Sequence, residues 1–151
     1  MKPPRAFAAA ALLAGLAAAV SGAPGSGAHL GPVSPADWKP PVQLPPGAEY
    51  ALLREDPLSH GIHALVRFPA GYEVREHTHA AAEVIVVVNG SLEVALNGDK
   101  ETLKPGEVAV IPAGTPHSLR APGLWRKTLF VTTTDGPYDL TYTEKEPEPS
   151  E

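Results

Sequence analysis

The chain has 151 residues, the length of one domain, with 18 prolines, 14 glycines and no cysteine. The absence of cysteine excludes disulfides, zinc fingers and thiol catalysis. The formal net charge is −5 and the basic residues form no cluster, so nucleic acid and anionic membranes are poor candidates for partners. The proline and glycine content favours a turn-rich β protein over a helical one.

Residues 1–22 have the layout of a secretory signal peptide. Lys2 and Arg5 supply a short positive region, an apolar run covers residues 6–20, and small residues follow it. That run is too short to span a membrane comfortably. We therefore predict cleavage between Gly22 and Ala28, a periplasmic or secreted protein, and no membrane association after cleavage. The alternative is an uncleaved membrane anchor.

Residues 23–47 are predicted to be a linker that becomes an N-terminal arm. Their dense prolines remove backbone donors and block helix formation. Trp38 is the large apolar residue of this arm, and we expect it to pin the arm to the outside of the domain. At the other end, residues 144–151 form an acidic, proline-containing tail that we predict to be disordered.

Residues 48–143 are predicted to form a β domain. The apolar residues of this domain's second predicted strand alternate with a mixed set, as in a strand with one apolar face. The apolar residues are Ile62, Ala64, Val66 and Phe68, and the mixed set is His63, Leu65 and Arg67. Strands are predicted over residues 50–54, 62–68, 83–88, 91–96, 100–103, 108–111, 124–133 and 139–143. Many short strands with turn signals every few residues indicate a sandwich or a closed barrel.

Two Asn-Gly pairs predict tight hairpins. Asn89-Gly90 follows one predicted strand and Asn97-Gly98 follows the next. Because Asn-Gly is the strongest short hairpin signal, we expect each strand to pair with the one that returns from its turn.

The chemistry of the chain is concentrated in two stretches. In the first, His77 and His79 are separated by one residue, so an extended chain projects both imidazoles from the same side. Glu83 follows shortly afterwards, and the second stretch contributes His117. Imidazoles combined with a carboxylate are ligands for a borderline divalent metal.

These stretches, from Gly71 to Ala121, resemble the two motifs of the cupin superfamily. The position of Ala121 departs from the pattern, since many cupins have asparagine there. The resemblance implies an all-β, single-domain fold, the cupin double-stranded β-helix or jelly-roll barrel. It also implies that one divalent ion (Fe, Mn, Ni, Cu or Zn) is held by four ligands: His77, His79, Glu83 and His117. The alternative is a barrel that keeps the motifs for packing alone. From the family, a homodimer through the outside of one sheet is expected.

Arg75 is a candidate for substrate binding. It precedes His77 by two residues, so a regular strand would aim it into the same cavity, where it could hold an anionic group. The alternative is that a twist or bulge turns it outward to pair with a surface carboxylate. His60 and His63, at the start of a strand, are interpreted as surface residues or as neighbours of the site.

The resemblance leaves three classes of function. The first is a metal-dependent oxygenase acting on a small phenolic or enolic compound, as in the quercetinase and acireductone dioxygenase branches. The second is a non-catalytic binder of metal or of a small ligand, and the third is a metal-dependent isomerase or decarboxylase. The sequence contains no separate nucleophile motif, phosphate loop or nucleotide fingerprint, and no catalytic residue beyond the proposed ligands is identified.

Overall fold

The computed structural model describes residues 30–144, so the predicted signal peptide, the start of the linker and most of the acidic tail lie outside it. A short 3-10 helix precedes ten strands. The elements are η1 Pro35–Asp37, β1 Glu49–Glu55, β2 Ile62–Phe68, β3 Glu73–Thr78, β4 Glu83–Asn89, β5 Leu92–Leu96, β6 Asp99–Leu103, β7 Val108–Ile111, β8 His117–Arg120, β9 Thr128–Thr134 and β10 Thr141–Tyr142. Within residues 30–144, no helix is long and apolar enough to cross a membrane.

The strands form two five-stranded antiparallel sheets that enclose the core. One sheet has the order β1-β2-β9-β4-β7 and the other the order β10-β3-β8-β5-β6. Buried apolar side chains from both sheets pack between them, among them Phe68, Val74, Ile85, Leu92, Leu119 and Phe130. This arrangement is a jelly-roll barrel, so the predicted all-β fold class is confirmed.

The predicted alternation of β2 is confirmed. Ala64, Val66 and Phe68 are buried while His63 is exposed on the opposite face. β9 pairs with β2 and shows the same alternation, with its buried face carrying Phe130. The buried faces of these two strands therefore form a continuous floor on one side of the barrel interior.

Only one of the two predicted hairpins forms. Asn97 and Gly98 both have positive φ angles, 53° and 87°, and β6 pairs antiparallel with β5. This confirms the predicted turn at Asn97-Gly98. The prediction of a hairpin at Asn89-Gly90 is wrong, because β4 and β5 belong to different sheets.

At Gly90 the chain crosses from one sheet to the other. It passes so close to β9 that a Cβ atom on Gly90 would lie 2.7 Å from the carbonyl oxygen of Lys127. The Asn-Gly pair therefore reflects this close backbone approach rather than a tight turn. The strand predicted over residues 124–133 also begins late, since β9 starts at Thr128.

The described part of the arm contacts the outside of the barrel. The guanidinium carbon of Arg67 lies 4.1 Å from the centroid of the Trp38 ring, a distance at which cation and ring attract. Lys39 and Tyr50 exchange two backbone hydrogen bonds of 2.9 and 2.8 Å. These contacts bring the following residues of the arm, including Val42 and Leu44, to the wall of an internal cavity.

The crossing at Gly90 yields a testable prediction. Gly90→Ala and Gly106→Ala both place alanine at positive φ, 79° and 89° respectively, which costs about 1–2 kcal/mol. Only Gly90→Ala also forces a Cβ against backbone, because no atom lies within 4 Å of a Cβ on Gly106. In urea denaturation, Gly90→Ala should therefore lose clearly more stability than Gly106→Ala. Equal losses would contradict the close approach.

Candidate metal centre

Four buried side chains meet inside the barrel. His77 lies near the end of β3, His79 just after that strand, His117 at the start of β8, and Glu83 at the start of β4. Their exposed fractions are between 1% and 4%. A ligand nitrogen of each histidine lies within 4.8 Å of those of the other two, so this cluster could hold a metal ion. The structure thus brings together all four residues that the sequence singled out.

The local course of β3 decides which side chains face the cluster. Val74 and His77 are both buried, with Arg75 and Glu76 exposed between them. This spacing breaks the two-residue alternation, and the pairing of β3 with β8 shifts register at the same place. The irregularity is a β-bulge, which re-aims the side chains of a strand.

The bulge corrects the placement expected for Arg75. Its guanidinium carbon lies 4.6 Å from the centroid of the Tyr142 ring, and its side chain is exposed rather than directed into the cavity. A regular strand would have placed Arg75 on the same side as His77. The second of the two orientations considered for this residue is therefore the one found.

Backbone carbonyls fix the orientation of all three imidazoles. Nδ1 of His77 donates to the carbonyl oxygen of Arg75 at 2.7 Å, and Nδ1 of His117 to that of Thr115 at 2.9 Å. Nδ1 of His79 donates to the carbonyl of Asp139. A carbonyl oxygen can only accept, so each Nδ1 carries a hydrogen, and in the neutral ring Nε2 then presents a lone pair. This is the state in which histidine binds metal through Nε2.

Glu83 completes an electron-rich centre. Its Oε1 accepts a hydrogen bond from the hydroxyl of Thr132. Its Oε2 lies 3.3 Å from Nε2 of His79 and 3.5 Å from Nε2 of His117. Among residues 30–144, neither Oε2 of Glu83 nor Nε2 of His117 has a hydrogen-bond partner, although both are buried.

Unpartnered buried acceptors that face one another are costly unless a cation lies between them. Nitrogen and carboxylate oxygen donors are the ligand set that borderline divalent ions accept. The residues present therefore fit a divalent metal ion.

The protonation states suit a metal ligand set. Burial lowers the pKa of His77 to about 4, so this imidazole is neutral at neutral pH. Burial alone would raise the pKa of Glu83, but the imidazoles of His117 and His79 outweigh it and lower that pKa to about 2. For His79, burial acts to lower the pKa, yet the neighbouring Glu83 carboxylate prevails and raises it. An ionised Glu83 beside a neutral His77 is a form that metal binding requires, because ligand carboxylates must be ionised and ligand imidazoles neutral.

A cavity of about 520 Å³ opens onto this centre. Most of its wall is apolar. The apolar lining residues are Pro41, Val42, Leu44, Tyr50, Leu52, Ile62, Ala64, Val66, Phe68, Val74, Leu119, Phe130 and Pro137. This combination of an apolar wall and a few convergent polar groups is typical of small-molecule sites.

Three residues of the site were missed from the sequence. Thr132 holds Glu83, and Asp139 anchors His79 through its carbonyl oxygen. The ring of Tyr138 lies 5.1 Å from the ring of His79, centroid to centroid, and also lines the cavity. Burial raises the pKa of the Tyr138 hydroxyl far above its ordinary value, so the group stays protonated. No sequence motif marks these positions, because only the folded chain brings them next to the ligands.

The remaining histidines divide in a way that the sequence did not show. His63 is exposed on the outer face of β2. His60 lines the cavity, with its Nδ1 2.8 Å from Oε1 of Glu55. His29 lies outside the described residues.

The jelly-roll barrel and its centre of three histidines and one glutamate can be compared with known protein families. Residues 64–131 match the family described as the Cupin domain. With the fold, this match shows that the barrel is a cupin domain.

Relatives with known structures share the fold. KdgF from Halomonas sp. superposes with a TM-score of 0.56 at 26% identity, covering 66% of this chain and 86% of that one. The DMSP lyase DddQ from Ruegeria pomeroyi DSS-3 superposes with a TM-score of 0.62 at 22% identity, covering 74% of this chain and 62% of that one.

Among curated proteins, the chain is similar to quercetin 2,3-dioxygenase from Bacillus subtilis (strain 168). The two are 49% identical over 47 residues. This segment is 31% of the chain but only 13% of that enzyme. The similarity therefore concerns a short part of the relative.

The buried His77 predicts a pH dependence for the metal-free protein. Its pKa of about 4 in the fold compares with 6.5 ordinarily, so between these values only the unfolded chain takes the proton. Stability should therefore fall by about 3 kcal/mol as the pH is lowered from 6.5 to 4. His79, whose pKa is raised, contributes in the opposite sense: its stabilisation is present below 6.5 and is lost as the pH rises through its folded pKa.

Urea denaturation in the presence of a chelator isolates the His77 contribution. His77→Gln should flatten the pH dependence across this window, whereas His63→Gln, which changes an exposed histidine, should leave it unaltered. An unchanged slope in His77→Gln would show that this imidazole is not held neutral by burial.

Proposed function

We propose that the chain is a metal-dependent oxygenase acting on a small phenolic or enolic compound. In this proposal His77, His79, Glu83 and His117 hold one divalent ion, which is Fe, Mn, Ni, Cu or Zn. The observation that carries the proposal is the meeting of unpartnered, buried acceptors at the inner end of an apolar cavity. The local similarity to quercetin 2,3-dioxygenase supports the reaction class.

When bound, such an ion supplies Lewis-acid character and favours the ionised form of a coordinated hydroxyl. The protein's own residues prepare the site for it. The three carbonyl-anchored imidazoles keep their Nε2 atoms directed at the centre, and Thr132 fixes the carboxylate of Glu83. No rearrangement of these ligands is then needed on binding.

The cavity wall governs which compounds reach the centre. Side chains such as Phe68, Leu119 and Phe130 exclude water and favour a flat, weakly polar molecule over a sugar, which would need many hydrogen-bonding partners. Tyr138 keeps its proton and can donate a hydrogen bond to a ligand oxygen within the cavity. Exclusion of water also strengthens each electrostatic contact made there.

The alternatives differ in what the cavity must provide. A non-catalytic binder needs the same metal centre and the same apolar wall, so oxygen consumption separates it from an oxygenase. A decarboxylase needs an additional proton donor near the metal. Among the residues described, the cavity carboxylate outside the proposed ligand set is Glu55, which is half-exposed and paired with His60. Tyr138 lies beside His79, but its raised pKa makes it a poor acid, so the described cavity favours the oxygenase. A homodimer stays a prediction.

We also propose that the protein is exported, since residues 1–22 combine a positive start, an apolar run and small residues. Mass spectrometry of protein recovered from the periplasm or medium should give a mature N-terminus between residues 23 and 29. Recovery of a soluble cytoplasmic protein that retains Met1 would contradict export.

Metal binding predicts a shared effect of the four ligands. Alanine at His77, His79, Glu83 or His117 should lower metal occupancy, measured by elemental analysis after dialysis. Each variant should also lose metal-dependent stabilisation, which amounts to about 2.7 kcal/mol at free metal 100 times the dissociation constant. His63→Ala is the matched control, because this histidine is exposed. If His63→Ala lost metal as completely as His77→Ala, the ligand assignment would be wrong.

Oxygenase activity predicts oxygen uptake that depends on the loaded ion. With Fe(II), Mn(II), Ni(II) or Cu(II), an oxygen electrode should record uptake with flavonols, catechols or β-diketones. His79→Ala should abolish the uptake and His63→Ala should retain it. If no loaded form consumes oxygen, yet these compounds still raise the melting temperature, the protein is a binder and the oxygenase proposal fails.

A further inference from the structure

The cavity contains a second polar cluster at its open end. Nδ1 of His60 lies 2.8 Å from Oε1 of Glu55, and both side chains line the cavity that holds His77, His79 and Glu83. The His60 and Glu55 side chains are 60% and 45% exposed, whereas the four residues of the metal centre are at most 4% exposed. The pair therefore marks the entrance and the metal centre marks the inner end.

The sheet register gives the separation of these two ends. Glu83 pairs with Thr134 on β9, and the amide of Ile62 donates to the hydroxyl of Thr134 at 3.2 Å. Ile62 pairs in turn with Glu55 on β1. Glu55 thus lies three strand spacings from Glu83 at the same end of one sheet. Their Cα atoms are therefore at most about 14 Å apart. A ligand with two or three aromatic rings spans such a distance.

The β1–β2 turn holds His60 in a defined position. Oδ1 of Asp56 accepts from the amides of Leu58 and Ser59 at 2.9 and 2.8 Å, and the carbonyl of Asp56 accepts from the amide of His60 at 2.9 Å. His60 itself has a φ of 58°, a conformation uncommon outside glycine. Such a residue persists where its surroundings over-determine it, and it often marks a ligand site.

The turn is also locked to the rest of the sheet. A Cβ atom on Gly61 would lie 2.4 Å from the carbonyl oxygen of Thr134 on β9. The backbones therefore approach closely at this point, and the entrance cluster is tied to the strand that pairs with Glu83. Glu83 and the His60 turn, at the two polar ends of the cavity, are consequently both held by β9.

The chemistry of the pair defines what it can bind. Nδ1 of His60 donates to Oε1 of Glu55, which leaves Oε2 of Glu55 as an acceptor beside Nε2 of His60. A carboxylate oxygen beside an imidazole nitrogen matches two adjacent hydroxyl groups, because a hydroxyl can both donate and accept. The negative charge of the carboxylate also disfavours an anionic group at this end.

We propose that Glu55 and His60 form a distal subsite that selects elongated aromatic substrates bearing hydroxyl groups at the end remote from the metal centre. The other end of the same substrate carries the oxygen atom through which it binds the metal centre. The apolar wall formed by Leu52, Ile62 and Phe130 contacts the body between them. This inference rests on the proposed function, because it names the substrate class of the same cavity.

A matched series of flavonols tests the subsite. The series shares one flavonol core and differs only in its pendant ring, which carries two adjacent hydroxyls, two adjacent methoxy groups or no substituent. The methoxy compound retains the shape but donates no hydrogen bond. Zinc-loaded protein, kept without oxygen, is titrated with each compound and the dissociation constants are measured by calorimetry.

Wild-type protein should bind the dihydroxy compound about tenfold more tightly than either of the others, the effect of one hydrogen bond to a charged group. Glu55→Gln and His60→Asn should each reduce this preference to about twofold or less; asparagine suits position 60 because it tolerates positive φ. His63→Asn, on the outer face of β2, should keep the preference.

The outcomes separate the two proposals. Equal binding of all three compounds by wild-type protein would overturn the distal subsite and leave the proposed function standing. A preference that survives in both Glu55→Gln and His60→Asn would also overturn the subsite. If no flavonol binds the zinc-loaded protein at all, the subsite fails, whereas the proposed function is then decided by oxygen uptake with catechols and β-diketones.

Discussion

Three backbone carbonyl oxygens determine what the centre of this barrel can bind. By accepting hydrogen bonds from Nδ1 of His77, His79 and His117, they turn three Nε2 atoms towards one another and towards Glu83. Inside an apolar interior, such a collection of acceptors is unfavourable without a cation. The strands around the centre hold these groups and contribute most of the apolar side chains of the cavity wall.

The barrel meets this constraint by combining distant parts of the chain. His77 pairs with His117 across β3 and β8, while Glu83 comes from the opposite sheet and is fixed by Thr132. The loop after β9 supplies the carbonyl of Asp139 and the ring of Tyr138. Because two sheets and one loop contribute, the centre exists only in the closed barrel, which links the folding of the protein to its proposed metal chemistry.

Much of this arrangement could be predicted from the sequence, and the exceptions have physical reasons. The alternation of β2 and the His77-x-His79 spacing are local patterns, and the structure agrees with both. Asn89-Gly90 misled because its glycine is required by a close approach to Lys127, a contact remote in sequence. Arg75 misled because a bulge breaks the two-residue period that its inward placement assumed. Local periodicity contains neither kind of information.

The supporting residues were beyond prediction for a related reason. Asp139 acts on His79 through a main-chain carbonyl, which every residue type possesses, so its identity carries no signal. For His60 the sequence left open a surface residue or a neighbour of the site, because its place at the entrance depends on the β1–β2 turn and on the packing of Gly61 against β9. Motifs identify the ligands of such a site, whereas the residues that orient them and border the cavity follow from topology.

The central claim is that the three imidazoles face one metal ion through Nε2 while Nδ1 remains protonated. Nitrogen-15 NMR of histidine side chains, recorded on metal-free and zinc-loaded protein, reads both nitrogens of each ring directly. On zinc loading, the account predicts that the Nε2 signals of His77, His79 and His117 shift together while their Nδ1 signals keep an attached proton, with His63 unchanged. Coordination through Nδ1, or unchanged signals from all three rings at saturating zinc, would contradict it.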